Sequence, residues 1–169
     1  MIYGVMSLKK WLLFVCVTIT VFTQAFCQAN SPKLNIYHLA DSFYVYTTYG
    51  IVNGVPFPAN SMYLVTGKGL VMFDTPWDTT QFQPLLDSIE KRYHQPVVLC
   101  VATHFHTDKT AGLEFFKSKG ITTYSSKQTY DLCKERHEKQ AQYFFLHDTT
   151  FMVGNYLPNL LRRPWPQPR

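Results

Sequence analysis

Residues 96–108 read PVVLCVATHFHTD and join an apolar run to two histidines and an aspartate at alternating positions. The run PVVLCVA is typical of a β-strand that is covered on both faces. His104 and His106 lie two residues apart, so in an extended segment their side chains point the same way. Asp108 follows where a helix is predicted to begin. Imidazole nitrogens and a carboxylate suit zinc, and ligands in α/β folds gather beyond the carboxyl ends of strands. A metal site is therefore favoured over two surface histidines that are close by chance.

Upstream of this stretch the pattern is mainly that of short strands. A helix is predicted over 81–93, where apolar residues recur at helical spacing, with Thr79 or Thr80 as its N-cap. Between the second and third strands, GIVNGVPFPAN (50–60) is predicted to be a long hairpin loop that exposes Val55 and Phe57. The runs rich in Tyr, Val, Ile and Phe are KLNIYHL (33–39), SFYVYTTY (42–49), SMYLVT (61–66) and GLVMFD (69–74), and TGKG (66–69) is a tight turn.

Downstream, strands and helices alternate, which predicts an α/β layer structure. A helix should run from Asp108 to Lys119 and end at Gly120. The segments that follow are a strand at 121–126, a polar helix at 127–140, and strands at 142–146 and 149–153.

The two ends of the chain differ in composition from the body. Residues 1–27 have the charged, apolar, small-residue order of a secretory signal, with Lys9 and Lys10 before the apolar run 11–22. Cleavage is expected after Cys27, with Ala25 as the alternative; a retained membrane anchor or a lipid on Cys27 is less favoured. The body is assigned to 28–154. Residues 155–169 form a tail rich in Pro and Arg that continues neither periodicity and is interpreted as foreign to the fold, as a shifted reading frame would produce.

Charge and cysteine content narrow the function classes. The formal net charge is +5, but five of the sixteen Lys and Arg residues lie at the two ends, and the other eleven match the eleven Asp and Glu. A neutral body of this kind does not indicate a nucleic-acid-binding protein. Beyond the signal, Cys100 and Cys133 remain, and both are predicted to be free buried thiols.

The THFHTD motif, in this order of strands and helices, resembles the His-x-His-x-Asp signature of the metallo-β-lactamases, most closely those of class B, subclass B1. The resemblance covers about residues 33–154. It implies an αβ/βα sandwich fold, of which the chain carries mainly the N-terminal half. It also implies a two-zinc site that opens the ring of β-lactam substrates in the periplasm. No nucleic-acid partner and no stable membrane anchor after signal cleavage are expected.

The resemblance also assigns roles to residues. His104 and His106 would ligate the first zinc, and Asp108 would be a catalytic residue and a ligand of the second. Asp74 would position the ligand-bearing turn, and Val55 and Phe57 would belong to a flap over the substrate. Lys109 stands where Arg, Cys or His is frequent and is not expected to ligate metal.

The family's other ligands lie in motifs that this sequence does not contain. His137, expected in the polar helix, and His147, expected in a turn, are poor replacements, and so is Cys133. We therefore expect at most one zinc ion per chain, little or no hydrolysis by this chain, and self-association through surfaces shaped for a partner half. The alternative function is a non-catalytic exported binding module.

Overall fold

The computed structural model describes residues 34–154 and 159–160. The predicted signal peptide (1–27) lies outside the described residues, and so does the predicted tail (155–169) apart from its two-residue strand 159–160. No helix within the described residues is long and apolar enough to cross a membrane.

A seven-stranded sheet forms the centre of the fold, with its strands in chain order from β1 to β7. The strands β1 to β4 are antiparallel neighbours, whereas β4 to β7 run parallel. An eighth and a ninth strand form a separate antiparallel pair. The strands are β1 (Asn35–Ala40), β2 (Phe43–Val52), β3 (Val55–Thr66), β4 (Gly69–Phe73), β5 (Val97–Ala102), β6 (Thr122–Ser126), β7 (Tyr143–Phe145), β8 (Thr149–Thr150) and β9 (Asn159–Leu160).

The helices connect the parallel strands, because a parallel pair needs a crossover connection. They are α1 (Phe82–Tyr93), α2 (Thr107–Thr110), α3 (Leu113–Ser118) and α4 (Lys127–Glu135), and a short 3₁₀ turn (Thr79–Gln81) precedes α1. The predicted α/β class is confirmed.

Strand β5 shows why the continuous apolar run was informative. Cys100 and Ala102 pack on the sheet face that the helices cover, where Leu85 and Phe116 are buried. Leu99 and Val101 point to the opposite face, where their described neighbours are strand and loop side chains rather than helices. Both faces of β5 are buried, so both sets of alternate residues are apolar.

The prediction that residues 50–60 form a long loop is wrong. Strands β2 and β3 stay paired up to Val52 and Val55, and only Asn53 and Gly54 form the turn. Both residues have positive φ, 51° and 78°, which is the conformation that favours Asn-Gly in two-residue hairpins. Val55 and Phe57 are exposed, as predicted, but they lie on a strand rather than a loop.

Four smaller features also differ from the predictions. The helix after the histidines is broken into α2 and α3 at Gly112. The N-cap of α1 is Gln81, which makes no side-chain cap hydrogen bond, rather than Thr79 or Thr80; Asp78 caps the preceding 3₁₀ turn by accepting from the Thr80 amide. The polar helix ends at Glu135, and His137 follows in a turn with a φ of 56°. The last predicted strand, 149–153, is a strand only over Thr149–Thr150.

Candidate metal centre

His104, His106 and Asp108 come together at the carboxyl end of β5. One ligand atom from each lies within 4.8 Å of the others, and the two imidazole centroids are 4.9 Å apart. His106 has extended φ and ψ of −70° and 147° and is the N-cap of α2, so the chain turns immediately after it. This turn brings Asp108, in the first turn of α2, back toward the histidines.

The three side chains fit a zinc ion. Ligands that each lie about 2 Å from one zinc are about 3–4 Å from one another, so small rotations of side chains would complete the approach. Two imidazoles and a carboxylate are also the ligand types that zinc accepts. Within the described part of the chain, this is the one group of three His, Cys, Asp or Glu residues with such geometry.

Asp74 holds the first residue of the loop that carries the histidines. It is 5% exposed, and its Oδ1 accepts hydrogen bonds from the Thr103 amide at 2.7 Å and the Thr103 hydroxyl at 2.8 Å. Burial raises the pKa of Asp74 to about 6, although the two hydrogen bonds from Thr103 and the charge of Lys109 favour its ionised form. The carboxylate therefore positions the loop, in the way that partners of metal-bound histidines do.

The Thr103 hydroxyl connects Asp74 to His104. It lies 3.2 Å from Nδ1 of His104, and its own hydrogen is donated to Asp74. Because the hydroxyl hydrogen is donated to Asp74, the hydroxyl oxygen can accept only from an Nδ1–H, and in that tautomer the ring carries its lone pair on Nε2. Burial lowers the pKa of His104, and the neighbouring His106 lowers it further, so the neutral form that binds metal is favoured.

Lys109 is a component of the site that the sequence did not reveal. It is 9% exposed, and its Nζ donates to the Asn60 carbonyl at 2.8 Å. The same ammonium lies 3.3 Å from Asp108 and 3.9 Å from Asp74. Its ammonium therefore balances the charge of these two carboxylates.

A pocket of about 320 Å³ opens beside the ligands. Trp77 forms one wall and packs edge-on against Phe57 of the hairpin, at 6.4 Å between ring centroids. Trp77 also covers Gly50, where a Cβ would collide with the indole ring. The hairpin residue Phe57 is 58% exposed and Val55 is 64% exposed. The pocket is lined by Trp77, Phe105, His106, Thr107, Asp108, Arg136 and Glu138.

The other candidates from the sequence are not part of this group. His137 and His147 are exposed and absent from the cluster of ligand atoms. Cys133 is buried behind the loop, where its Sγ lies 3.9 Å from the Phe105 carbonyl. Burial raises the pKa of Cys133 to about 11, which keeps it a thiol at neutral pH and a poor ligand. Cys100 is buried and, like Cys133, free of a disulfide, as predicted.

Comparison with known proteins identifies relatives of the chain. No protein-family model matches it. It is 42% identical over 149 residues to "Metallo-beta-lactamase type 2" of Elizabethkingia meningoseptica, covering 88% of this chain and 59% of that protein. It is 40% identical over 128 residues to "Metallo-beta-lactamase IND-1" of Chryseobacterium indologenes, covering 76% of this chain and 53% of that protein. The chain thus spans just over half the length of these curated relatives.

Solved structures agree with the sequence comparison. The crystal structure of metallo-beta-lactamase IND-7 superposes with a TM-score of 0.70 at 36% identity, covering 76% of this chain and 59% of that one. A metallo-beta-lactamase from Pontibacter korlensis gives a TM-score of 0.69 at 30% identity, covering 74% and 58%. The resemblance read from THFHTD and the predicted sandwich fold, of which this chain carries a part, are confirmed.

Proposed function

This chain is a relative of the metallo-β-lactamases in sequence and in fold, and we propose that it carries half of a zinc site for hydrolysis of the β-lactam ring. The observation that carries the proposal is the convergence of His104, His106 and Asp108, whose ligand atoms lie within 4.8 Å of one another at the end of a parallel strand. In this proposal the chain is exported to the periplasm, where β-lactam antibiotics would be its substrates.

The residues of the chain have separate tasks in this function. The two histidines and Asp108 would hold zinc, which supplies a hydrolytic nucleophile at neutral pH by acidifying water. Asp74, acting through Thr103, would favour the tautomer of His104 that carries its lone pair on Nε2. Lys109 keeps the Asp108 carboxylate in place through an ion pair at 3.3 Å.

The apolar groups beside the pocket would bind and shield the substrate. Phe57 and Val55 project from the hairpin, and Trp77 links the hairpin to the pocket wall. Such a surface suits the apolar side chain of an antibiotic and would exclude water from the reacting bond.

The ligand count limits what these 169 residues do alone. Zinc sites in proteins use three or four protein ligands, and the described residues bring together one group of three. We expect at most one zinc ion per chain and β-lactam hydrolysis that is slow or undetectable. The alternative function is a non-catalytic exported binding module. In that case, the chain would bind zinc but would not hydrolyse β-lactams, even when it is joined to the segment that carries the relatives' remaining ligands.

Equilibrium dialysis with zinc, followed by hydrolysis of a chromogenic cephalosporin, tests the proposal. His106→Ala should lower zinc affinity at least tenfold, whereas His137→Ala, in an exposed turn, should leave it unchanged. The chain should acquire chelator-sensitive hydrolysis when it is fused to the remaining segment of the Elizabethkingia relative. Equal zinc affinity of the wild type and His106→Ala would refute the site, and a zinc-loaded but inactive fusion would favour the binding module.

A further inference from the structure

The residues next to the candidate ligands are held by contacts with distant parts of the chain. The ligand atoms of residues 104, 106 and 108 lie close together. Just outside this stretch, Thr103 donates to Asp74, and Lys109 donates to the Asn60 carbonyl. The two residues between the candidate ligands are Phe105 and Thr107.

The turn that follows α4 contacts both of these positions. The Thr107 hydroxyl donates to Oε1 of Glu138 at 2.8 Å. The Arg136 guanidinium lies over the Phe105 ring, 4.5 Å from its centroid, which is a close cation–π contact. On the inner side, the Cys133 thiol points at the Phe105 carbonyl. Three side chains from the end of α4 and the turn after it therefore contact the two residues that flank His106.

The turn itself is well anchored, so it can serve as a rigid support. The Glu138 amide donates to the Cys133 carbonyl at 2.8 Å, which closes the turn onto the end of α4. The next residue, Lys139, pairs with Glu114 of α3 at 2.8 Å. The contacts therefore join the loop after β5 to the end of the helix that follows the neighbouring strand β6.

We propose that Glu138 and Arg136 are positioning residues, which orient His106 and Asp108 for metal by holding Thr107 and Phe105. This inference rests on the proposed zinc site and adds residues to it that lie about 30 positions further along the chain. Neither residue belongs to the group of candidate ligands. A lost contact would let the loop rotate about its backbone, which moves both neighbouring ligands together. Loss of one such supporting partner typically weakens metal affinity 10- to 100-fold.

Cobalt(II) titration of the full chain, followed by visible absorption, tests the positioning role. Glu138→Ala should weaken cobalt affinity about tenfold and change the intensity of the ligand-field bands, which report coordination geometry. Glu138→Gln keeps an oxygen that accepts from Thr107, so it should restore most of the affinity. Glu135→Ala is the matched control, because it removes an exposed glutamate at the end of α4 that takes no part in the contacts with Thr107 and Phe105.

A second pair of variants makes the test independent of the fold around Glu138. Thr107→Val removes the hydroxyl at nearly constant volume, and Thr107→Ser keeps it. The valine variant should match Glu138→Ala, the serine variant should match wild type, and the double variant Thr107→Val with Glu138→Ala should be no weaker than either single one. Arg136→Ala should change the cobalt bands more than Arg136→Lys, which retains a cation over Phe105.

The outcomes separate this inference from the proposed function. A wild-type chain that binds no cobalt refutes the metal site itself. A wild-type chain that binds cobalt, with unchanged affinity and bands in Glu138→Ala and Thr107→Val, refutes the positioning role alone. Additive losses in the double variant would also refute it, since they would mean that the two residues act separately.

Discussion

At the scale of single residues, Asp74 shows how the site uses a buried charge. The carboxylate is almost completely removed from water, and its partners are Thr103 and, at a longer distance, Lys109. Burial disfavours the ionised form more than these partners favour it, so the pKa rises from 3.8 to about 6. Asp74 therefore makes the folded state less stable at neutral pH in exchange for a fixed metal-ligand loop.

This cost predicts a pH dependence of stability in the metal-free protein. Because the folded pKa lies above the unfolded one, the stabilisation from Asp74 is fully present below about pH 4 and is lost as pH rises through about 6. A shift of two pKa units corresponds to about 3 kcal/mol. In Asp74→Asn the amide oxygen still accepts from Thr103 and the charge is gone, and Asn tolerates the positive φ of 68° at this position.

Denaturant unfolding in the presence of a chelator, at several pH values, measures this effect. The free energy of unfolding of the wild type should fall by up to about 3 kcal/mol relative to Asp74→Asn between pH 4 and pH 7. Asp131→Asn, on the exposed side of α4, is the control and should follow the wild type. Parallel curves for the wild type and Asp74→Asn would contradict the prediction.

At the scale of elements, the sequence predicts a loop where β2 and β3 form a hairpin, because this segment contains Pro56 and Pro58. Prolines interrupt most strands because they lack an amide hydrogen. Here the two prolines pair with Ile51 and Tyr49 of β2, while β4 pairs with β3 only from Met62 onward. The other side of β3 has no described strand next to the prolines, so no ladder hydrogen bond is lost.

The same hairpin depends on Gly50, over which Trp77 packs. Gly50→Ala adds a methyl group where the indole ring already lies, so either Trp77 or the hairpin must move. Overpacking of this kind costs about 1–3 kcal/mol. Thermal unfolding should show this loss, and Trp77 should become more accessible to a fluorescence quencher. Gly67→Ala, at an open position in the next turn, is the control; equal stability of the two variants would mean that Trp77 is not fixed.

At the scale of the whole molecule, the described sheet exposes apolar side chains at its edges. On the edge strand β7 these are Tyr143 and Phe144, and on the edge strand β1 they are Tyr37 and Leu39. A sheet edge of this kind offers unpaired backbone groups and apolar surface together, which promotes pairing with another chain.

We therefore expect the purified chain to self-associate through the β7 edge. Sedimentation velocity should show oligomers that increase with protein concentration. Tyr143→Lys should shift the population toward monomer, because charges on an edge strand oppose pairing. Gln83→Lys, on the exposed side of α1, adds charge without touching the edge and should not change the distribution. A wild type that stays monomeric at all concentrations would contradict this expectation.

The sequence by itself determined the features that depend on neighbouring residues. Strand β5 followed from an unbroken apolar run, and the three candidate ligands followed from their close spacing, three residues within five at the end of that strand. Only the tertiary structure identified the groups that hold them. Thr103 meets Asp74 at 29 residues' separation, Thr107 meets Glu138 at 31, and Lys109 meets Asn60 at 49. Thr103 reaches Asp74 because the parallel strands β4 and β5 end at the same edge of the sheet, whereas Asn60 comes from β3 and Glu138 from the turn after α4, and no local pattern encodes such contacts.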